Sequence, residues 1–398
     1  MVSLRRRHLL GAGAAVLGAG GYWAYTQRGV DCPPVLEPTH EFYEEFMNVW
    51  SRPVFDSHLC FISGGTGIRS ISPGERYVRL LALELNGEVK WGIRQELGGG
   101  FGEPHPTDES VYATSGGNVF FAVDRDTGEI DWKLDLGTPG SGYMSWLTLV
   151  YDDTVIASTH YPDHEEIDSS DALIGMSTED GSLAWTTPLD GDVMTGIALV
   201  QGIVIVVTDQ GTVNGVDPVT GALEWEASLG DGHGRMTRPT AFGEHVWIAR
   251  DDGTLIGFDP RSGEDTVRTT VLEGDRGDTV IKDMLVLDDQ LIVGDRQGTV
   301  TSLDDTGAKR WQHEGLERTA GLTTTQDRVA VLDQRGVYAE LDTDTGEQQR
   351  AYLLADIQDA DRCGHRPDER RYRGLGISRH TLITSGRITP MARFDMPR

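Results

Sequence analysis

The feature that most constrains this chain is a segment of nine or ten residues that returns seven times: LELNGEVKW, VDRDTGEIDW, MSTEDGSLAW, VDPVTGALEW, FDPRSGEDTV, LDDTGAKRW and LDTDTGEQQR. Its turn glycine stands at Gly87, Gly128, Gly181, Gly221, Gly263, Gly307 and Gly346, so successive copies are 41, 53, 40, 42, 44 and 39 residues apart. A period of that size, filled by short apolar strands with no helical spacing, defines an array of small β-sheets and excludes a helical solenoid. The architecture it predicts is an all-β propeller.

The residue types explain why the segment recurs. Asp or Ser at the start of the turn bonds the backbone two residues on, and Gly supplies the positive φ of a tight hairpin. A Trp follows the glycine by four residues in five copies, at Trp91, Trp132, Trp185, Trp225 and Trp311. A ring at a fixed place in an outer strand can wedge between neighbouring sheets and bury roughly 150–250 Å². These five, with Trp50, are therefore read as blade-docking residues and not as a cofactor stack. Val267 and Arg350 replace the Trp in two copies, and those two joints are expected to be looser.

The pattern Asp-x-x-Thr-Gly-x-x-x-Trp, best seen at Asp124 to Trp132 and Asp217 to Trp225, resembles the repeat of the quinoprotein-type (PQQ-like) β-propellers over about residues 44–398. The resemblance is specific for the fold. It implies less about function, because that family includes pyrroloquinoline-quinone dehydrogenases as well as non-enzymatic propellers such as the lipoprotein of the bacterial outer-membrane barrel-assembly machinery.

Eight apolar strand cores follow at regular intervals: HLCFIS, SVYATS, TVIAST, IVIVVT, HVWIAR, QLIVGD, RVAVLD and HTLITS. Eight cores against seven turn segments leave one outer strand to be found, and residues 46–50, FMNVW, end in a Trp. The expectation is an eight-bladed propeller of four-stranded antiparallel blades, with this N-terminal strand completing the blade of residues 373–396; seven blades is the alternative. Such closure removes open sheet edges.

Upstream of the propeller, Arg5, Arg6 and Arg7 precede an apolar run from Leu9 to Ala24. Residues 1–28 are read as a twin-arginine-type signal or an N-terminal anchor and residues 29–43 as a linker, which makes the protein exported and extracytoplasmic. The apolar run is shorter than the roughly 20 residues that span a bilayer. Residues 29–31, Gly-Val-Asp, lack the small apolar run of a lipid-attachment site before Cys32. Cys32 instead precedes the N-terminal strand and Cys363 the C-terminal hairpins, so a bond between them would clip the closure, worth about 4–5 kcal/mol in the chain-entropy treatment. Cys60 falls inside a strand and reads as a buried thiol.

Loops leading into innermost strands, at 98–105, 137–144, 230–238 and 273–278, share one face of a propeller with an insertion at 159–171. His105, His160, His164, His233, Arg235 and Arg238 are the candidate residues of this binding face. His160 and His164 with Asp163, Glu165 and Glu166 match no specific metal spacing, and no metal is assigned. Arg362, Arg366, Arg370, Arg371 and Arg373 form a basic cluster read as internal salt bridges. No nucleophile elbow, C-x-x-C-H haem site or adjacent Cys pair is present, so no catalytic or cofactor-binding residue is assigned. The expected function is a non-catalytic exported or membrane-anchored scaffold, a monomer that binds protein or another ligand and needs no cofactor. The alternative implied by the resemblance is a quinoprotein dehydrogenase using PQQ and calcium.

The formal charge is −28, from 63 acidic and 35 basic residues, and only four of the basic ones are lysines. Nucleic acid is excluded as a partner, since phosphate would meet its own sign. Acid-rich, lysine-poor composition resembles that of halophilic proteins. Self-repulsion at this charge is nearly abolished when the Debye length falls to about 3 Å at 1 M salt. The melting temperature is therefore expected to rise between about 0.1 M and 1 M NaCl; a flat or falling series in a thermal melt would remove the halophilic reading.

Overall fold

Each turn segment closes the last hairpin of one sheet, and the reason is visible at Asp217. Its Oδ1 accepts hydrogen bonds from the Val219 and Thr220 amides (3.0 and 2.7 Å) and from the Thr220 hydroxyl (2.8 Å). The Gly221 amide donates to the Asp217 carbonyl at 2.9 Å with φ at +71°, a conformation open to glycine at little cost. Asp124 and Asp342 organise the same turn with Thr127 and Thr345.

The computed structural model describes residues 35–36, 40–41, 48–49, 54–55, 59–65, 77–84, 88–96, 102–115, 118–137, 149–160, 162, 167, 169–193, 196–230, 237–271, 281–325, 328–333, 336–354, 372–378, 381–386 and 392–395. Among them every regular element is a β-strand. Seven times, four consecutive strands form an antiparallel sheet in sequence order. These are blades 1 to 7, at residues 54–96, 105–135, 149–188, 197–228, 240–270, 281–313 and 319–354.

The expectation of eight four-stranded blades, with residues 46–50 completing the last, is corrected to the alternative of seven. The repeat blade is made seven times, once per turn segment, and Asn48–Val49 pairs with Leu59–Gly65 of blade 1. The C-terminal hairpins have no turn segment of their own. They supply three strands, Tyr372–Ser378, Thr381–Gly386 and Ala392–Asp395, and the two-residue strand His40–Glu41 lies on the outside of this composite sheet. Strands also begin earlier than the linker reading allows, for Val35–Leu36 pairs in parallel with the outer strand of blade 7. The N-terminal segment thus touches blade 7, the composite sheet and blade 1 in turn. Innermost strands of blades 3 to 7 adjoin in order, Tyr372–Ser378 adjoins both the blade 7 strand Thr319–Thr324 and Val54–Phe55 of blade 1, and the array closes through the composite sheet.

Apolar clusters fill the joints from blade 1/2 through blade 6/7. In each of the seven blades the outer strand slips register by one residue beside the Trp position, as between Gly215 and Val216 opposite Trp225. Such a bulge re-aims a side chain. The five Trp rings, 7–9% exposed, each lie against the turn glycine of the following blade, where a Cβ on Gly128, Gly181, Gly221, Gly263 or Gly346 would overlap the ring. Four also donate Nε1–H to a carbonyl of that blade: Trp91 to Arg125 (2.8 Å), Trp132 to Thr178 (2.9 Å), Trp225 to Pro260 (2.9 Å) and Trp311 to Thr343 (2.7 Å).

The looser joint expected at Val267 is not what the structure shows. Trp247, from the second strand of the same blade and 0% exposed, lies 3.2 Å from where a Cβ on Gly307 would sit and fills the place. Arg350 lies in the outer strand of blade 7, and the side chains of the composite sheet lie outside the described residues. So do Trp50, Cys32, Cys363, the Arg362, Arg366, Arg370 and Arg371 cluster, and residues 1–28. Cys60 is buried as expected, at 0% exposure. No helix among the described residues is long and apolar enough to cross a membrane.

Trp225→Ala and Trp247→Ala should each lose about 3–5 kcal/mol in urea unfolding, whereas Val267→Ala, at a half-buried site, should lose far less. Equal effects at 247 and 267 would show that Trp247 does not carry the blade 5/6 joint.

Candidate functional site

Strand direction places the ends of the second strands and the starts of the innermost strands at one end of every blade, opposite the turn segments. On this face the buried strand-end groups mostly serve their own loops. Asp295 Oδ1 accepts from the Gln297 and Thr299 amides (2.7 and 2.8 Å) and Asp333 Oδ1 from the Val337 amide (2.8 Å), whereas Arg250 Nη1 reaches back to blade 4 and donates to the Leu229 carbonyl (2.8 Å). Burial raises the Asp295 carboxyl above its ordinary range.

Two places on the face differ. At the first, Arg238 Nη2 lies 3.2 Å from Glu103 Oε1, an ion pair between the loop entering blade 5 and the loop entering blade 2. His105 is half-buried beside it. Burial pushes its imidazole below the ordinary 6.5, Arg238 pushes the same way, and Glu103 opposes them. Two of the residues named from the sequence, His105 and Arg238, therefore come together 133 positions apart in the chain. Glu103 was missed, because nothing in a linear sequence shows that two loops three blades apart meet.

The second place is on blade 3. His160 ends the second strand, pairs in register with Asp171 at the start of the third, and its Nδ1 hydrogen-bonds the Asp171 carboxylate. Asp192, from the connection to blade 4, brings Oδ1 to 3.8 Å from the same nitrogen. Ser170 Oγ donates to Asp171 Oδ2 at 2.8 Å. Asn118 of blade 2 brackets the His160 backbone, donating to its carbonyl (2.8 Å) and accepting from its amide (3.1 Å). Burial raises the Asp192 carboxyl, His160 lowers it, and Asp171 adds to the rise. These three groups lie within 4.8 Å of one another and are the only such metal-ligating set among the described residues. Sequence reasoning found His160 but paired it with its neighbours; Asp171 and Asp192 become partners only through strand register and blade docking. His164, His233 and Arg235 lie outside the described residues.

A ring of PQQ-like repeat blades with its longer loops at one end defines the class: an all-β propeller. Residues 48–169, 150–289 and 209–358 match the family described as outer membrane protein assembly factor BamB, and the chain belongs to that family. Among curated proteins it is similar to outer membrane protein assembly factor BamB of Yersinia pestis, 23% identical over 249 residues that span 60% of this chain and 62% of that protein. Among solved structures it resembles BamB from Moraxella catarrhalis (TM-score 0.60, 18% identity, 92% of this chain and 98% of that one). It also resembles Saccharomyces cerevisiae Sqt1 (TM-score 0.69, 11% identity, 92% and 100%).

His105 should titrate below 6.5 in NMR. Arg238→Ala should move it upward, and Glu103→Gln further down. The neutral imidazole is favoured by folding, so its stabilising contribution is present above the ordinary imidazole value and is lost as pH falls through it toward the lowered one. An unchanged titration in both variants would separate His105 from the ion pair.

Proposed function

We propose that the protein is a non-catalytic, extracytoplasmic scaffold that binds a protein partner through the loop-bearing face. Family membership over most of the chain supports this reading, since the family's name describes an assembly factor. The observation that carries the choice of face is the Glu103–Arg238 pair. It ties two loops of distant blades into one surface, and its Arg is still 44% exposed at the side chain and able to meet a partner. Residues 1–28 would deliver the chain across the membrane, and its acidic composition suits a high-salt surrounding. The quinoprotein reading rests on the shared repeat alone and has no residue in this chain assigned to it.

A photo-crosslinking residue at position 238 should yield a discrete adduct in cells, and the same residue at exposed Asp126, on the turn-segment face, should not. Adducts from 126 alone would place the working surface at the opposite end. Alcohol- or aldose-dependent dye reduction by purified protein supplied with PQQ and Ca²⁺ would overturn the non-catalytic reading.

A further inference from the structure

We propose that His160, Asp171 and Asp192 form a binding site for a borderline divalent cation of the Zn²⁺ type. The repeat gives no structural need for this trio. At the equivalent strand ends of blades 4, 6 and 7, Thr208, Asp295 and Asp333 accept amides of their own hairpins. At blade 3 an imidazole takes that place, and carboxylates from two other segments of the chain converge on it.

Charge and burial point to a cation. The three side chains are only 13%, 10% and 23% exposed. Among the described residues, two carboxylates face one imidazole, a net negative charge even when the ring is protonated, and a largely buried charge of that kind is costly. A dication with neutral imidazole makes the set neutral. The donors, one nitrogen and two carboxylate oxygens, are those of a three-ligand zinc site that keeps a fourth position for water. Calcium, which wants six to eight oxygens, fits them poorly.

The change in geometry that an ion requires is confined to one contact. With metal–ligand distances of about 2.0–2.2 Å, two ligands of a tetrahedral ion stand roughly 3.4 Å apart, close to the 3.8 Å between His160 Nδ1 and Asp192 Oδ1, whereas the direct hydrogen bond between His160 Nδ1 and Asp171 must open to admit the ion. The ligands are also held before any ion arrives. Asn118 fixes the His160 backbone, and the Asp192 amide donates to Asp209 Oδ1 (3.1 Å) while its carbonyl accepts from the Asp209 amide (2.8 Å). A metal on Nδ1 requires that nitrogen to carry no proton, the ring N–H then being on Nε2, so protons compete with the ion and affinity falls as the solution is acidified.

The full chain, stripped with EDTA, is titrated with ZnCl₂ by calorimetry and with CoCl₂ by visible absorption. One equivalent should bind, with the intense d–d bands of tetrahedral Co²⁺. His160→Gln and Asp192→Asn should each weaken Zn²⁺ by about tenfold or more, in line with losses at metal-supporting positions, while His105→Gln binds like the parent. Asp192 lies in a connection outside the strands, so Asp192→Asn remains informative if His160→Gln fails to fold by circular dichroism. No stoichiometric binding by the parent, or parental affinity in a folded Asp192→Asn, would overturn the site. Neither result bears on the scaffold reading, which does not use the ion.

Discussion

The docking of a tryptophan ring on the turn glycine of the next blade is the contact on which the rest of the structure depends. A four-stranded sheet of this size cannot cover both of its apolar faces, so each blade is stable only against a neighbour. The ring needs a flat, close-approaching backbone, and the glycine needs its positive φ to close the hairpin. One residue therefore meets two demands, local and tertiary. Blade 5 shows that the demand lies in the joint and not in the sequence position: with Val267 in the outer strand, Trp247 reaches the same place from the second strand of the blade. Its indole Nε1 turns to the Phe242 carbonyl of its own blade instead of the next one.

Closure is the second constraint. A ring of repeats has two free edges unless the chain ends meet, and here the N-terminal segment crosses three sheets in about twenty residues, first lying along blade 7, then joining the composite sheet, then entering blade 1. Exposed edges invite pairing with other chains, and this path covers them.

The two ends of the blades divide the work. At the turn-segment end, hydrogen bonds from Thr hydroxyls and backbone amides hold Asp124, Asp217, Asp304 and Asp342 below the usual carboxylate range, so part of the acidity of the chain is structural. At the other end the loops differ from blade to blade, and there the ion pair of Glu103 with Arg238 and the His160 cluster depart from the repeat. Repetition holds the ring together, and departures from it mark where the molecule can be specific.

How much of this could be read in advance follows from the range of the interactions. The turn segments, the strand cores, the docking role of Trp91, Trp132, Trp185, Trp225 and Trp311, and the burial of Cys60 were legible, because each rests on contacts within a hairpin or on a pattern repeated at a fixed period. His105, His160 and Arg238 were legible as polar residues of loops at one end of the blades. Their partners were not. Glu103, Asp171 and Asp192 are brought in by register and by packing between blades, and neither leaves a mark in a linear pattern. The outer strand of the composite sheet was sought in residues 46–50 on the strength of a Trp, whereas His40–Glu41 takes that place with no motif at all. Sequence by itself thus determined the repeating unit, since hairpin chemistry is local. Only the tertiary structure decided how the ring closes and which charges meet, since those depend on distances that exist once the blades have docked.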